Sequence, residues 1–235
     1  MSAWKAKRFW KEARAEDCEG GFTVRLDGRA VKTPAKAALV VPTRAMAEAI
    51  AAEWDAQAGE VKPDTMPVTR AANSAIDKIR AQRAEVVDLL AAYGGSDLLC
   101  YRAAGPEALA ERQAAGWDPV LDWAAEALGA RLVVTRGVMP VAQEAAVLDR
   151  LHGRVAGFGD FHLAGFHDLV AISGSLILAL AVTEGRLGEA EAWDLSRIDE
   201  TWQVEQWGED EEAAAHEARR RAAFGEACRF YALCG

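Results

Sequence analysis

Histidine, cysteine, methionine and tyrosine are scarce in this chain: four, four, four and three among 235 residues. The cysteines, Cys18, Cys100, Cys228 and Cys234, form no C-x-x-C pair, the spacing that structural zinc and thioredoxin-type chemistry use. They are expected to be reduced thiols in a cytoplasm, because a chain this long needs no disulfide framework. His162 and His167 lie five residues apart, about 140° around a helix, too far to share a metal. His152 stands on another element, and H-E-x-x-H is absent. No cofactor or metal is expected. The fragment "GFGDFHLAG" has His162 where the third glycine of a dinucleotide loop belongs, and no G-x-x-x-x-G-K-[ST] exists. "AISGSLILA" carries Ser173 and Ser175 inside an apolar run instead of a strand-to-helix elbow, so these small residues are expected to let helices approach.

The chain also lacks a long hydrophobic run and a basic surplus. Its longest uncharged stretch, "LVAISGSLILALAVT" (169–183), has 15 residues, short of the ~18–20 that cross a bilayer. It reads as a helix buried on all sides. Lys and Arg number 27 against 36 acids, a net charge of −9. That balance disfavours nucleic acid and anionic membranes, which want basic surfaces. The N-terminal "MSAWKAKRFWKEA" has no apolar h-region, so neither secretory signal nor transit peptide is expected, and the protein is placed in the cytoplasm. With 51% hydrophobic residues the chain can bury a sizeable core.

What is present falls into two parts, an α+β chain. Residues 1–42 read as β-rich. In "GGFTVRLDGRAVKTP", Phe22, Val24 and Leu26 point one way, and Thr23 and Arg25 the other. Asp27-Gly28 signals a type I′ hairpin turn, with 30–32 as the returning strand. "ALVV" (38–41) reads as a third strand stopped by Pro42, and "KAKRFWKEA" as a candidate earlier one. The sum is a small antiparallel sheet.

Residues 43–235 read as mostly α-helical, with 131–136 a β-branched segment that can return to the N-terminal part. Thr43 caps a helix over 44–57, where Met46, Ile50 and Trp54 form a stripe. Further helices are expected over 68–94 (one or two), over 107–128 with an interruption around Gly116–Pro119, and over 142–156, 161–184, 189–207 and 209–233. "DLLCYRA" reads as short and extended. No internal repeat or low-complexity linker is present. Trp54, Trp117 and Trp123 are expected to be structural anchors.

One stretch resists a purely structural reading: "SRIDETWQVEQWGEDEE" (196–212), where Trp202 and Trp207 stand among acids. On one continuous helix, Leu195, Ile198 and Trp202 share a face that runs on to Glu205 and Glu209. A second line runs Glu200, Val204, Trp207, Glu211. Apolar anchors inside an acidic rim are how protein-binding patches are built. A solvated helix corner is the plainer alternative.

Several stretches in order resemble one family: "KRFWKEA", "GGFTVRLDGRAVKTPAKAALVVPT", "AAEWDAQ", "TMPVTRAANSAID", "DLLCYRA", "WDPVLDWA" and "SRIDETWQVEQWGEDEE", spanning about residues 4 to 231. They resemble the chaperones that assemble the catalytic sector of F-type ATP synthase, known in mitochondria as assembly factor two of that complex. The resemblance implies a β-rich domain, then a helical one. It also implies binding to the unassembled alpha subunit before that subunit meets beta, with no nucleotide, metal or turnover. Glu200, Gln203, Trp207 and Gly208 match the family's acidic, tryptophan-bearing segment, and partner binding is expected there, with Trp202 and Glu205 beside them. Trp54 matches the family's "EWD" tryptophan, and Trp54→Arg is expected to unfold the protein. The composition resembles that of a bacterial member. Two other readings compete. One is a small-molecule hydrolase or transferase using the Glu200–Glu212 acids with His152 or His216. The other is a scaffold with no dedicated client.

Overall fold

A computed structural model describes residues 7–235. The candidate early strand begins at Lys5, so its first residues lie outside the described ones. The chain divides into two compact units. One comprises Met1–Arg83 (described from Lys7), Gly159–Gly165 and Arg229–Gly235, and the other Ala84–Phe158 and Phe166–Cys228. The expected boundary at residue 42 follows backbone class. The units follow packing, which keeps the first helices with the sheet.

In the first unit, β1 (Ala13–Cys18), β2 (Gly21–Leu26) and β3 (Arg29–Ala30) form an antiparallel sheet in that order. Asp27 and Gly28 both have positive φ, 46° and 81°, as a type I′ turn requires. Strand β1 carries no β-branched or aromatic residue, which is why its sequence, ARAEDC, gave no strand signal. The alternation expected for β2 holds in part. Val24 and Leu26 are buried, but so is Thr23, whose hydroxyl donates to the Leu39 carbonyl at 2.7 Å. Residues 38–41 make bridges in place of a regular third strand: Lys32 to Ala38, and Phe22 to Val41. The segment divides its bonds between two partners, with Leu39 N–H on Val31 and Val41 N–H on Phe22, so no continuous ladder develops. Gly21 (φ 148°) permits this crossing, since a Cβ there would strike the Val41 carbonyl oxygen.

Helix α1 (Arg44–Asp55) begins where expected. Thr43 Oγ1 accepts from Met46 N–H at 3.1 Å, and Met46 and Ile50 are fully buried on the sheet side. From its far end, Glu53 reaches α2 (Pro67–Ser74). Its carboxylate accepts from Val68 N–H (2.7 Å), Thr69 N–H (2.8 Å) and the Thr69 hydroxyl (2.7 Å). A helix N-terminus has donors with no intrahelical partner and favours negative charge, so a carboxylate brought from another helix serves as its cap. Glu53→Gln is expected to cost about 1–3 kcal/mol, read as a lower urea midpoint. The expected helical stretch 68–94 is interrupted: α2 runs into a π-helical turn (Ala75–Ile79), and α3 follows (Arg83–Ala91).

In the second unit, β4 (Tyr101–Arg102) and β5 (Thr135–Arg136) pair in parallel. Within residues 131–136, Thr135 and Arg136 therefore pair with Tyr101 and Arg102, inside this unit. Helix α4 (Glu107–Ala127) is continuous through Pro119, where an interruption was expected. Its buried residues Gln113, Trp117, Val120, Leu121 and Ala124 form one stripe across the proline, and burying that stripe outweighs one missing hydrogen bond. Then come α5 (Ala145–Ala156), α6 (Asp160–Ser173), α7 (Leu176–Thr183), α8 (Glu189–Ser196), α9 (Ile198–Trp207) and α10 (Glu211–Ala232). Two expected helices are thus broken. The 161–184 run breaks at Gly174 (φ 73°), and Ser175 Oγ caps α7 by accepting from Leu178 N–H at 2.9 Å. Leu176–Ala181 are buried on every side, as the apolar run implied.

Candidate functional site: the acid-rimmed end of α9

The second break falls inside the tryptophan-bearing stretch. Arg197 leaves helical geometry (φ −118°, ψ 16°) and separates α8 from α9. Its side chain is almost fully buried over the Trp193 ring, with Glu200 at 2.9 Å and Glu217 at 3.8 Å. Burial holds its pKa below the usual arginine value, opposed chiefly by Glu200. The predicted stripe Leu195–Ile198–Trp202 thus spans two helices. Leu195 and Ile198 still meet, over Gly116 of α4, where an added Cβ would lie 2.9 Å from both side chains.

Helix α4 then holds the first turns of α9. Gln113 Nε2 donates to Asp199 at 2.6 Å, and Trp117 Nε1 donates to the Leu195 carbonyl at 2.8 Å. The Arg112 guanidinium lies 4.8 Å from the centre of the half-buried Trp202 ring and pairs with Glu205 at 2.8 Å. Beyond this clamp the helix is free. Val204 is 45% exposed and Trp207 78%, and Gln203 and Gln206 are exposed beside them. Gly208 (φ 86°) ends the helix in a conformation that glycine adopts readily, and its N–H donates to Val204 at 2.9 Å. The line Glu200–Val204–Trp207–Glu211 is therefore cut, with Glu211 on the next helix. Asp210 starts α10 by accepting from Ala213 N–H at 2.8 Å. The six residues expected to bind a partner divide by role. Trp202 and Glu205 are tied to Arg112. Glu200 faces Arg197. Gln203, Trp207 and Gly208 are exposed.

The structural tryptophans also differ. Trp117 is buried, while Trp123 and Trp54 are half-buried. Trp54 packs edge-on against Trp10 at 5.2 Å, and its Nε1 is buried without a hydrogen-bond partner among the described residues.

Residues of the competing catalytic reading are not gathered. His152 contacts Asp88 at 2.8 Å instead of the 200–212 acids, and His216 is exposed on α10. His167 contacts Asp168, which raises its pKa. Among the described residues no group of three His, Cys, Asp or Glu could hold a metal ion. All four cysteines are unpaired, and burial pushes the Cys100, Cys228 and Cys234 thiols up to about 12, unfavourable for a thiolate nucleophile. Among the described residues no helix is long and apolar enough to cross a membrane.

Sequence reasoning missed one buried polar centre. Asp97 is 0% exposed, and its carboxylate accepts from Leu99 N–H (3.0 Å), Ile177 N–H (3.0 Å) and the Ser175 hydroxyl (2.7 Å). Burial raises its pKa to about 6 despite these donors. Ser175 is thus a cap and a donor, more than a small residue at a helix contact. The one local signal was an acid directly ahead of "LLC", an N-cap pattern.

Comparison with known proteins agrees with this architecture. The ATP12 chaperone protein family matches residues 7–125. The crystal structure of Atp12 from Paracoccus denitrificans is 50% identical, covers 99% of this chain and 100% of its own, and superposes with a TM-score of 0.96. The Atu1473 protein of Agrobacterium tumefaciens is 44% identical over 98% of this chain and 87% of its own, with a TM-score of 0.94. The mitochondrial protein atp12 of Schizosaccharomyces pombe is 26% identical over 222 residues, 88% of this chain and 75% of that protein. The family match defines the class as chaperones. The chain belongs to the ATP12 chaperone family, which acts in ATP synthase assembly.

Proposed function

We propose that the client is the unassembled alpha subunit of the synthase's catalytic sector, held until it pairs with beta, and that α9 contributes the contact surface. The observation that carries this reading is Trp207, 78% exposed at the end of a helix whose preceding turns are clamped to α4. A large apolar residue in water costs free energy that a partner would recover. The clamp limits the entropy lost on binding, because the helix is ordered beforehand. Gln203, Val204, Trp207 and Gly208 form the contact. Glu200, Glu205 and the acids from Glu209 to Glu212 keep the empty surface hydrated and favour a basic rim on the client. Trp202 acts through position, as the ring on which Arg112 lies. No turnover is part of this reading, and release follows from the higher affinity of beta for the same client surface. The setting is the bacterial cytoplasm.

Light scattering of refolding alpha subunit tests it. Equimolar wild-type protein is expected to suppress aggregation. Gln203→Ala with Trp207→Ala, both at exposed side chains, is expected to weaken suppression about tenfold or more, with an unchanged circular dichroism spectrum. Full suppression by that variant moves the surface elsewhere, and no suppression by the wild type removes this client.

A further inference from the structure

A second exposed apolar surface lies in the same unit as α9, and neither tryptophan contributes to it. Val133, Val134, Val138 and Met139 are 47%, 42%, 92% and 73% exposed. They flank β5, which pairs with β4 and with no other strand among the described residues. Gly137 N–H donates to the Arg102 carbonyl at 2.8 Å, so the backbone groups of Thr135 and Gly137 face β4. Side-to-side alternation along a strand then directs those of Val134 and Arg136 to the opposite edge. The β4-facing side is fully used even past the strand. At Val133 a side chain takes the part of a partner strand, with Gln143 Oε1 accepting from Val133 N–H at 2.7 Å and Gln143 Nε2 donating to its carbonyl at 2.9 Å. The segment is therefore held by its inner edge, while among the described residues no backbone partner takes its outer edge. Arg136 is drawn aside by a two-point pairing with Glu107 at 3.0 and 3.1 Å.

We infer that this outer edge is a second client-docking surface, which takes an extended apolar segment of the client as an added strand. An open edge offers backbone donors and acceptors to any extended chain, and flanking side chains select what pairs. Here the flanks are valines and a methionine, which favour apolar residues. The local charge selects further. Residues 131–143 contain Arg131 and Arg136 and no acid, in a chain of net charge −9. Glu107 neutralises Arg136, which leaves Arg131, exposed and without an ion pair among the described residues. An acid beside the apolar segment of the client complements it, the opposite preference to that of the acidic α9 surface. Two docking surfaces of opposite charge would orient one client, where a single patch leaves it free to rotate. The inference rests on the client reading above, because an extended apolar segment is what an unassembled subunit leaves uncovered.

The test compares three proteins in the alpha-subunit scattering assay: wild type, Val138→Glu with Met139→Glu, and Val134→Pro. The glutamates replace side chains that are already solvated. The proline removes one outward N–H and leaves the bonds to β4 in place. Each variant is expected to require about tenfold more protein for equal suppression, with unchanged circular dichroism. Suppression equal to wild type by the folded glutamate variant overturns the edge surface while leaving the client reading intact. No suppression by wild type removes the client reading itself, and the edge inference with it. A wild-type dimer on gel filtration that the glutamates render monomeric, with suppression unchanged, reassigns the edge to self-association and overturns the inference.

Discussion

Asp97→Ala is expected to destabilise the protein by about 3–5 kcal/mol. Its carboxylate serves two backbone N–H groups, from Leu99 and Ile177, and one hydroxyl, all fully shielded from water. Truncation leaves the two amides buried without partners, and each carries its own desolvation penalty. It also removes negative charge from the N-terminus of α7, the helix whose residues Leu176–Ala181 are completely buried. Asp97→Asn keeps the shape but turns an NH₂ toward an N–H donor, so it recovers part of the loss. The pH dependence distinguishes the two contributions. Burial lifts this carboxyl from 3.8 to about 6, so over that window the folded chain keeps a proton that the unfolded chain releases. The group's contribution to stability is greatest below the unfolded value, declines as pH rises through the window, and is level above it. Urea midpoints compared at pH about 4 and about 7 should show a steeper decline in wild type than in Asp97→Asn. Equal slopes would mean another group titrates there.

Trp117→Ala is expected to cost a similar amount, about 3–5 kcal/mol, and to reach the client surface as well. Trp117 is 1% exposed, lies under Arg102, and donates its indole N–H to a carbonyl in the last turn of α8, where intrahelical donors run out. Removing it opens a cavity beside Gly116, against which Leu195 and Ile198 pack, and so loosens the junction that sets the direction of α9. Thermal melts should show the lost stability. A variant still folded at low temperature should also suppress aggregation less well, although Trp117 touches no client. Trp117→Phe separates the terms in part: the hydrogen bond and one edge of the indole are lost while most of the ring packing is kept, and the expected cost falls to about 2–3 kcal/mol. A phenylalanine variant as unstable as the alanine one would place the weight on the hydrogen bond instead of the packing.

Trp202 shows why exposure could not be read from spacing. In sequence it and Trp207 look equivalent, two tryptophans among acids. In the fold one lies beneath Arg112 and the other projects beyond the clamp. Arg112 is 90 residues before Trp202, and no local pattern couples them.

The same distinction applies to the whole chain. Local chemistry was sufficient where the cause is local. The Asp27-Gly28 turn, the Thr43 cap, the stripe of α1 and the α+β class all follow from backbone preference and hydrophobic period within a few residues. The ordered stretches from "KRFWKEA" to "GEDEE" were enough to indicate the family. Tertiary structure decided the rest, because the deciding partner lies far along the chain. Residues 38–41 divide their bonds between two partners, and 135–136 pair with β4. The Gly174 break is stabilised by Asp97, 77 residues earlier, and α4 stays helical through Pro119 because its stripe is buried. Period and propensity describe what a segment can form alone. Which hydrogen bonds it gives up, and which tryptophan it leaves in water, depend on what packs against it.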